Sequence, residues 1–123
     1  MNDKKQITYE EARTVANEAA REEIKRYLSD GVVECLSDQY IEAEGCWFFF
    51  VSEKIELPTE NGSLIFRAFA VTKAGEVSCV YDLRPNDQQM RDYVEFFSLT
   101  SLGKDAQSKR AWADFSRKYL WKV

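Results

Sequence analysis

The run Gly45-Cys46-Trp47-Phe48-Phe49-Phe50-Val51 constrains this chain more than any other segment. A β-strand sends successive side chains to opposite faces, so here both faces are bulky and apolar. Such a strand needs cover on two sides and belongs at the centre of a layered domain. With 123 residues, 45% of them hydrophobic and 14% aromatic, the chain has material for one core of that kind, and residues 1–123 are read as a single domain.

The elements around this strand follow from caps, periodicity and turns. Thr8-Tyr9-Glu10-Glu11 is a capping box, in which a threonine and a glutamate three residues later each satisfy a free backbone N–H. Behind it Ala12, Val15, Ala16, Ala19, Ala20, Ile24, Tyr27 and Leu28 make one apolar helical stripe that Gly31 is expected to stop. Its alanines are thin enough to let the helix lie close to a sheet. Residues 32–36 read as a short first strand and residues 37–41 as a loop leading to the aromatic strand. Lys73-Ala74-Gly75 then joins two hairpin arms, residues 64–72 and 76–81. In the second arm Val77, Cys79 and Tyr81 alternate with the wetter Glu76, Ser78 and Asp82. Pro85-Asn86-Asp87 opens a second helix with the stripe Met90, Tyr93, Val94 and Phe97, and a break over residues 98–103 separates a third with Ala111, Trp112, Phe115, Tyr119 and Leu120.

Together these elements predict an α+β fold. An N-terminal helix packs on a three- to four-stranded antiparallel meander, and two C-terminal helices follow and cover part of the other face.

The chain lacks the residues of most catalytic machinery. It contains no histidine, the commonest general base, and no phosphate-binding, nucleophile-elbow or calcium-loop motif. Cys35, Cys46 and Cys79 have no metal-ligand spacing and read as structural thiols. No catalytic residue, metal ligand or cofactor is therefore assigned, and the chain is not read as an enzyme. The start Met1-Asn2-Asp3-Lys4-Lys5-Gln6 lacks the apolar stretch of a secretory signal, and no apolar run is long enough to span a bilayer. These features predict a soluble, cytoplasmic protein without a membrane partner.

Charge is distributed unevenly. Residues 1–62 hold 14 acidic against 7 basic side chains and residues 63–123 hold 7 against 10, a balance of −7 and +3. Between Glu34 and Glu60 the only cation is Lys54. An acidic surface repels nucleic-acid phosphates and steers basic partners toward itself. Such a surface is either a merely solvated face or a binding patch. On the second view Glu34, Asp38, Glu42, Glu44 and Glu53 are the candidate partner-binding residues. The cations beside Trp112 and Tyr119 would suit single-stranded nucleic acid, but core packing is the simpler account of those rings.

Three segments carry a family resemblance: Ile7-Thr8-Tyr9-Glu10-Glu11-Ala12, then Tyr40-Ile41-Glu42 with Gly45-Cys46-Trp47-Phe48-Phe49-Phe50, then Phe69-Ala70-Val71-Thr72-Lys73-Ala74-Gly75-Glu76-Val77. Over roughly residues 7–82 the chain resembles the immunity protein 35 family of bacterial polymorphic toxin systems, and the two C-terminal helices lie outside the match. The resemblance implies a small cytoplasmic protein that binds and blocks a cognate toxin domain, with no chemistry of its own. If the toxin is a nuclease, carboxylates take the place of phosphates on its basic cleft. The rival reading is another protein-interaction module, or a dimeric structural domain using an apolar sheet face. Monomer and homodimer both stay open.

Overall fold

The computed structural model describes residues 6–25, 28, 31, 34–55, 68–84 and 86–120. Helix α1 (Tyr9–Ile24) is followed by strands β1 (Leu36–Glu42), β2 (Cys46–Val51), β3 (Ala68–Thr72) and β4 (Val77–Val80). Helices α2 (Asp87–Ser101) and α3 (Asp105–Phe115) complete the chain, and α3 runs on into a π-helical turn over Ser116–Leu120. The expected α+β architecture, with one helix before an antiparallel meander and two after it, is the one observed.

The four strands lie in the order β1-β2-β3-β4, each antiparallel to its neighbour. All six residues of β2 are buried, and its two rows go to separate clusters. Trp47, Phe49 and Val51 pack with Phe69 and Val71 under Ala12, Ala16, Ala20 and Ile24 of α1. Those four helix positions recur every fourth residue, so three alanines and then Ile24 make one continuous stripe, flat along its alanine part. Cys46, Phe48 and Phe50 pack instead with Ala68, Ala70, Val80, Met90 and Val94 under α2. Register explains how the rings fit, since Phe48 stands opposite Ala70 and Phe50 opposite Ala68, a large residue against a small one each time. Phe48 also meets Tyr93 and Phe97 edge-on, at centroid distances of 5.8 and 5.5 Å.

The capping box forms as expected: Glu11 N–H donates to Thr8 Oγ1 at 3.1 Å, and Thr8 N–H donates to Glu11 Oε1 at 2.8 Å. Five expectations need correction. Helix α1 ends at Ile24 rather than near Gly31; Leu28 packs against the core, its N–H donating to Lys25 O at 3.2 Å, and Tyr27 of the expected stripe lies outside the described residues. The first strand is Leu36–Glu42, where a loop was expected. Its polar residues are tolerated because β1 is an edge with an irregular register between Leu36 and Tyr40. The expected strand positions Val32 and Val33, and residues 64–67 of the hairpin arm, lie outside the described residues. In β4 the buried residue is Val80, while Val77, Cys79 and Tyr81 are exposed, because β4 is the outer strand of the described sheet and α1 meets it only lightly, through contacts such as Glu23 with Cys79. Helix α2 runs through the expected break to Ser101, with the hydroxyls of Thr100 and Ser101 bonding back to Phe96 O and Phe97 O at 3.0 and 2.9 Å. Finally, α2 covers the second sheet face, and α3 packs chiefly on α2 rather than on the strands.

Candidate functional site

The five candidate carboxylates fall into two groups at opposite ends of the β1–β2 hairpin. Leu36 pairs with Val51, and Ser52 N–H donates to Cys35 O at 2.9 Å, which sets Glu34 beside Glu53 just beyond that pair. Asp38 lies nearby in the irregular part of β1. Glu42 ends β1 opposite Trp47, and Glu44 sits in the turn that follows. A seven-residue strand spans about 20 Å, so the two groups present two acidic points rather than one cluster.

Two of the five have structural partners. Arg13 of α1 donates to Glu34 Oε2 at 2.8 Å and to Ser37 O at 3.0 Å, tying the helix to the start of β1. Burial opposes the charge on Arg13, but the Glu34 hydrogen bond and charge outweigh it and hold the guanidinium above its ordinary value. Glu42 receives Lys73 Nζ at 2.7 Å, and the same ammonium lies 4.2 Å from the centre of the Trp47 ring. The Lys73 side chain is only 16% exposed, so Glu42 neutralises a cation held close to the core. Asp38, Glu44 and Glu53 are exposed and have no ion pair or hydrogen-bonding side-chain partner among the described residues.

The cysteines are poorly suited to nucleophilic work. Burial pushes the Cys46 thiol up to about 12. Burial raises Cys35 and Cys79 as well, with the carboxylate of Glu23 adding to the effect at Cys79. A thiol raised in this way stays protonated near neutrality and is a weak nucleophile. Cys35 and Cys46 are buried, whereas Cys79 is exposed on β4. Among the described residues no group of three histidine, cysteine or carboxylate side chains is placed to hold a metal ion. No helix among them is long and apolar enough to cross a membrane.

A second surface was hidden in the sequence. Beside β4 and the α2–α3 pair lies a cleft of about 510 Å³, lined by Val80, Tyr93, Phe96, Phe97 and Trp112 with Lys109. Trp112 was read as core, yet it is 41% exposed, because α3 packs on α2 and leaves one face of the indole over the cleft. Its ring stacks on Phe115 and tilts against Phe96, at centroid distances of 5.7 and 5.0 Å. The helical period puts Trp112 and Phe115 on one stripe, and nothing in that period distinguishes the buried ring from the exposed one. In the π-helical turn after α3, Tyr119 packs on Phe115 and its Oη donates to Asp92 Oδ2 at 2.8 Å. Burial opposes ionisation of Asp92, but this bond, a second from Gln88 and the charge of Lys118 hold its carboxyl below the usual range.

No protein-family model, curated protein or solved structure matches this chain.

Proposed function

We propose that this protein is an immunity protein, which binds a cognate toxin domain and neutralises it by laying carboxylates against a basic surface. The observation that supports this reading best is the state of Asp38, Glu44 and Glu53 around the β1–β2 hairpin, exposed and without ion-pair or hydrogen-bonding side-chain partners among the described residues. A protein gains nothing in stability from isolated solvated carboxylates, whereas a binding surface gains both steering and selectivity from them. The strand beneath them is rigid, since β2 is buried on both faces and holds β1 by an antiparallel ladder. Charge is thus displayed on a scaffold that pays little entropy to keep its shape. Glu34 and Glu42 belong to the same surface but are partly committed to Arg13 and Lys73.

On this reading the protein acts in the cytoplasm, without catalysis or cofactor, and the target is a toxin with a basic cleft such as a nuclease. An interaction module that uses an apolar sheet face is less well supported, because α1 and α2 already cover both rows of the central strands. The test is co-expression with the toxin encoded beside it. Restored growth and a stable purified complex are expected. Continued killing, with no complex formed, would overturn the proposal.

A further inference from the structure

We propose that the outer edge of β4, which pairs with no strand but β3 among the described residues, together with the cleft between it and the α2–α3 pair, binds an extended acidic segment of a partner protein as an added strand. This does not rest on the immunity reading and uses none of its carboxylates. Thr72 N–H donates to Glu76 O at 2.8 Å, so the register makes Ala70 with Ser78 and Ala68 with Val80 the hydrogen-bonded pairs of β3 and β4. The backbone N–H and C=O of Val77 and Cys79 therefore point away from β3, toward that outer edge. The Cys79 side chain is on the α1 face, with Sγ 3.8 Å from Glu23 Oε1, yet Cys79 lines the cleft on the α2 face. Its share of that wall is main chain.

An edge strand facing a helix across an apolar groove is the geometry of strand addition, in which backbone bonds give affinity and side-chain pockets give selectivity. Trp112, Phe96 and Tyr93 supply such a pocket, of about 510 Å³, for one large apolar side chain. The other edge is guarded: β1 has an irregular register and carries Asp38 and Glu42. β4 reads Val-Ser-Cys-Val, with no charge, proline or register shift to deter pairing. Lys109 on the cleft wall, with Lys104 and Arg110 on and next to α3, has no ion-pair partner among the described residues, which calls for a carboxylate in the bound segment. A second copy added antiparallel at this edge would set its own α3 beside the first, cation against cation, so an acidic segment fits better.

The probe is a blocked peptide of about nine residues, alternating valine and threonine with one tryptophan and two glutamates. It is titrated into the isotope-labelled full chain and followed by amide and indole NMR signals. Shifts confined to Val77–Val80 and the Trp112 indole are expected. N-methylation of alternate peptide amides should weaken binding at least about tenfold, because it removes edge bonds and leaves side chains intact. Lys109→Glu should weaken it about fivefold. Cys79→Pro should abolish it without unfolding the domain, since proline is tolerated where an edge N–H faces outward; should that variant unfold, the N-methyl comparison alone decides. Binding indifferent to N-methylation, shifts centred elsewhere, no binding at millimolar peptide, or dimerisation through β4 would each overturn the proposal.

Discussion

The backbone N–H of Gly45 donates to the Ser98 hydroxyl at 2.8 Å, and a methyl group at Gly45 would stand 2.5 Å from the Ser98 carbonyl oxygen. This contact joins the β1–β2 turn to the last turns of α2, and both partners are buried. Glycine is required here by close approach, not by an unusual backbone angle. Because the turn leads directly into β2, the same contact sets how α2 lies over Phe48 and Phe50.

Gly45→Ala should therefore destabilise the protein by several kcal/mol, about 3 or more, since Ser98 O is backbone and Leu102 Cγ stands 2.9 Å from the added atom. Ser98→Ala should cost less, about 1 to 3 kcal/mol, by leaving the Gly45 N–H buried without an acceptor. Urea unfolding of both variants gives the comparison. Equal midpoints for Gly45→Ala and the parent would show that α2 does not approach the turn this closely.

Phe49 and Phe48 adjoin in sequence but serve different clusters, one under α1 and one under α2. Truncating either ring to alanine should cost about 3 to 5 kcal/mol. The two losses should couple weakly, because the rings share no cavity and lie on opposite faces of the strand. A one-sided sheet would lose stability from only one of the two, which the denaturant midpoints of Phe48→Ala, Phe49→Ala and the double variant would reveal.

Thiol chemistry gives a pH signature. Burial raises Cys46 from an ordinary 9.0 to about 12, so the folded protein retains a proton that the unfolded chain releases. The contribution is fully present below 9.0 and is lost as pH rises toward about 12. The stability difference between the parent and Cys46→Ala should accordingly be flat at neutral pH and shrink through that alkaline window. A difference that stayed constant to the top of the window would mean that the thiol is not desolvated. Cys46 should also resist a disulfide reagent at neutral pH, while exposed Cys79 reacts slowly, held back by its raised thiol.

How far the sequence revealed this architecture depended on how strongly burial imposed a pattern. The two-sided strand, the α1 stripe, the capping box at Thr8 and the start of α2 near Asn86 were legible, because a fully buried strand and a capped amphipathic helix leave strong local signals. Strand β1 was not, since Ser37, Asp38 and Gln39 sit at an edge where neither face demands apolar residues. Nor was the exposure of Trp112, which depends on α3 resting on α2 rather than on the sheet. The acidic residues were found by composition, but Arg13 and Lys73, the cations that occupy Glu34 and Glu42, stand 21 and 31 residues away in the chain. Only the fold brings them together.

That pairing makes Glu42 and Glu44 unequal probes of the proposed acidic surface. Glu42 neutralises a largely buried Lys73 that also covers the Trp47 ring, so Glu42→Lys places two cations together and should lower stability, by about 1 to 2 kcal/mol after allowance for its own exposure. Glu44 is exposed and unpaired among the described residues, so Glu44→Lys should leave the unfolding midpoint within about 0.5 kcal/mol of the parent. If the acidic edge steers a basic toxin, Glu44→Lys and Glu53→Lys should each slow association severalfold at low salt, and the difference should fade as salt screens the charges. The single Glu42→Lys variant would confuse lost stability with lost binding, whereas Glu44→Lys with Glu53→Lys probes both ends of the edge in a folded protein. Association rates with the toxin at two salt concentrations, alongside growth rescue, make the measurement. Parental rates from the Glu44→Lys, Glu53→Lys double variant at low salt would remove the acidic edge from the interface and leave any immunity to another surface.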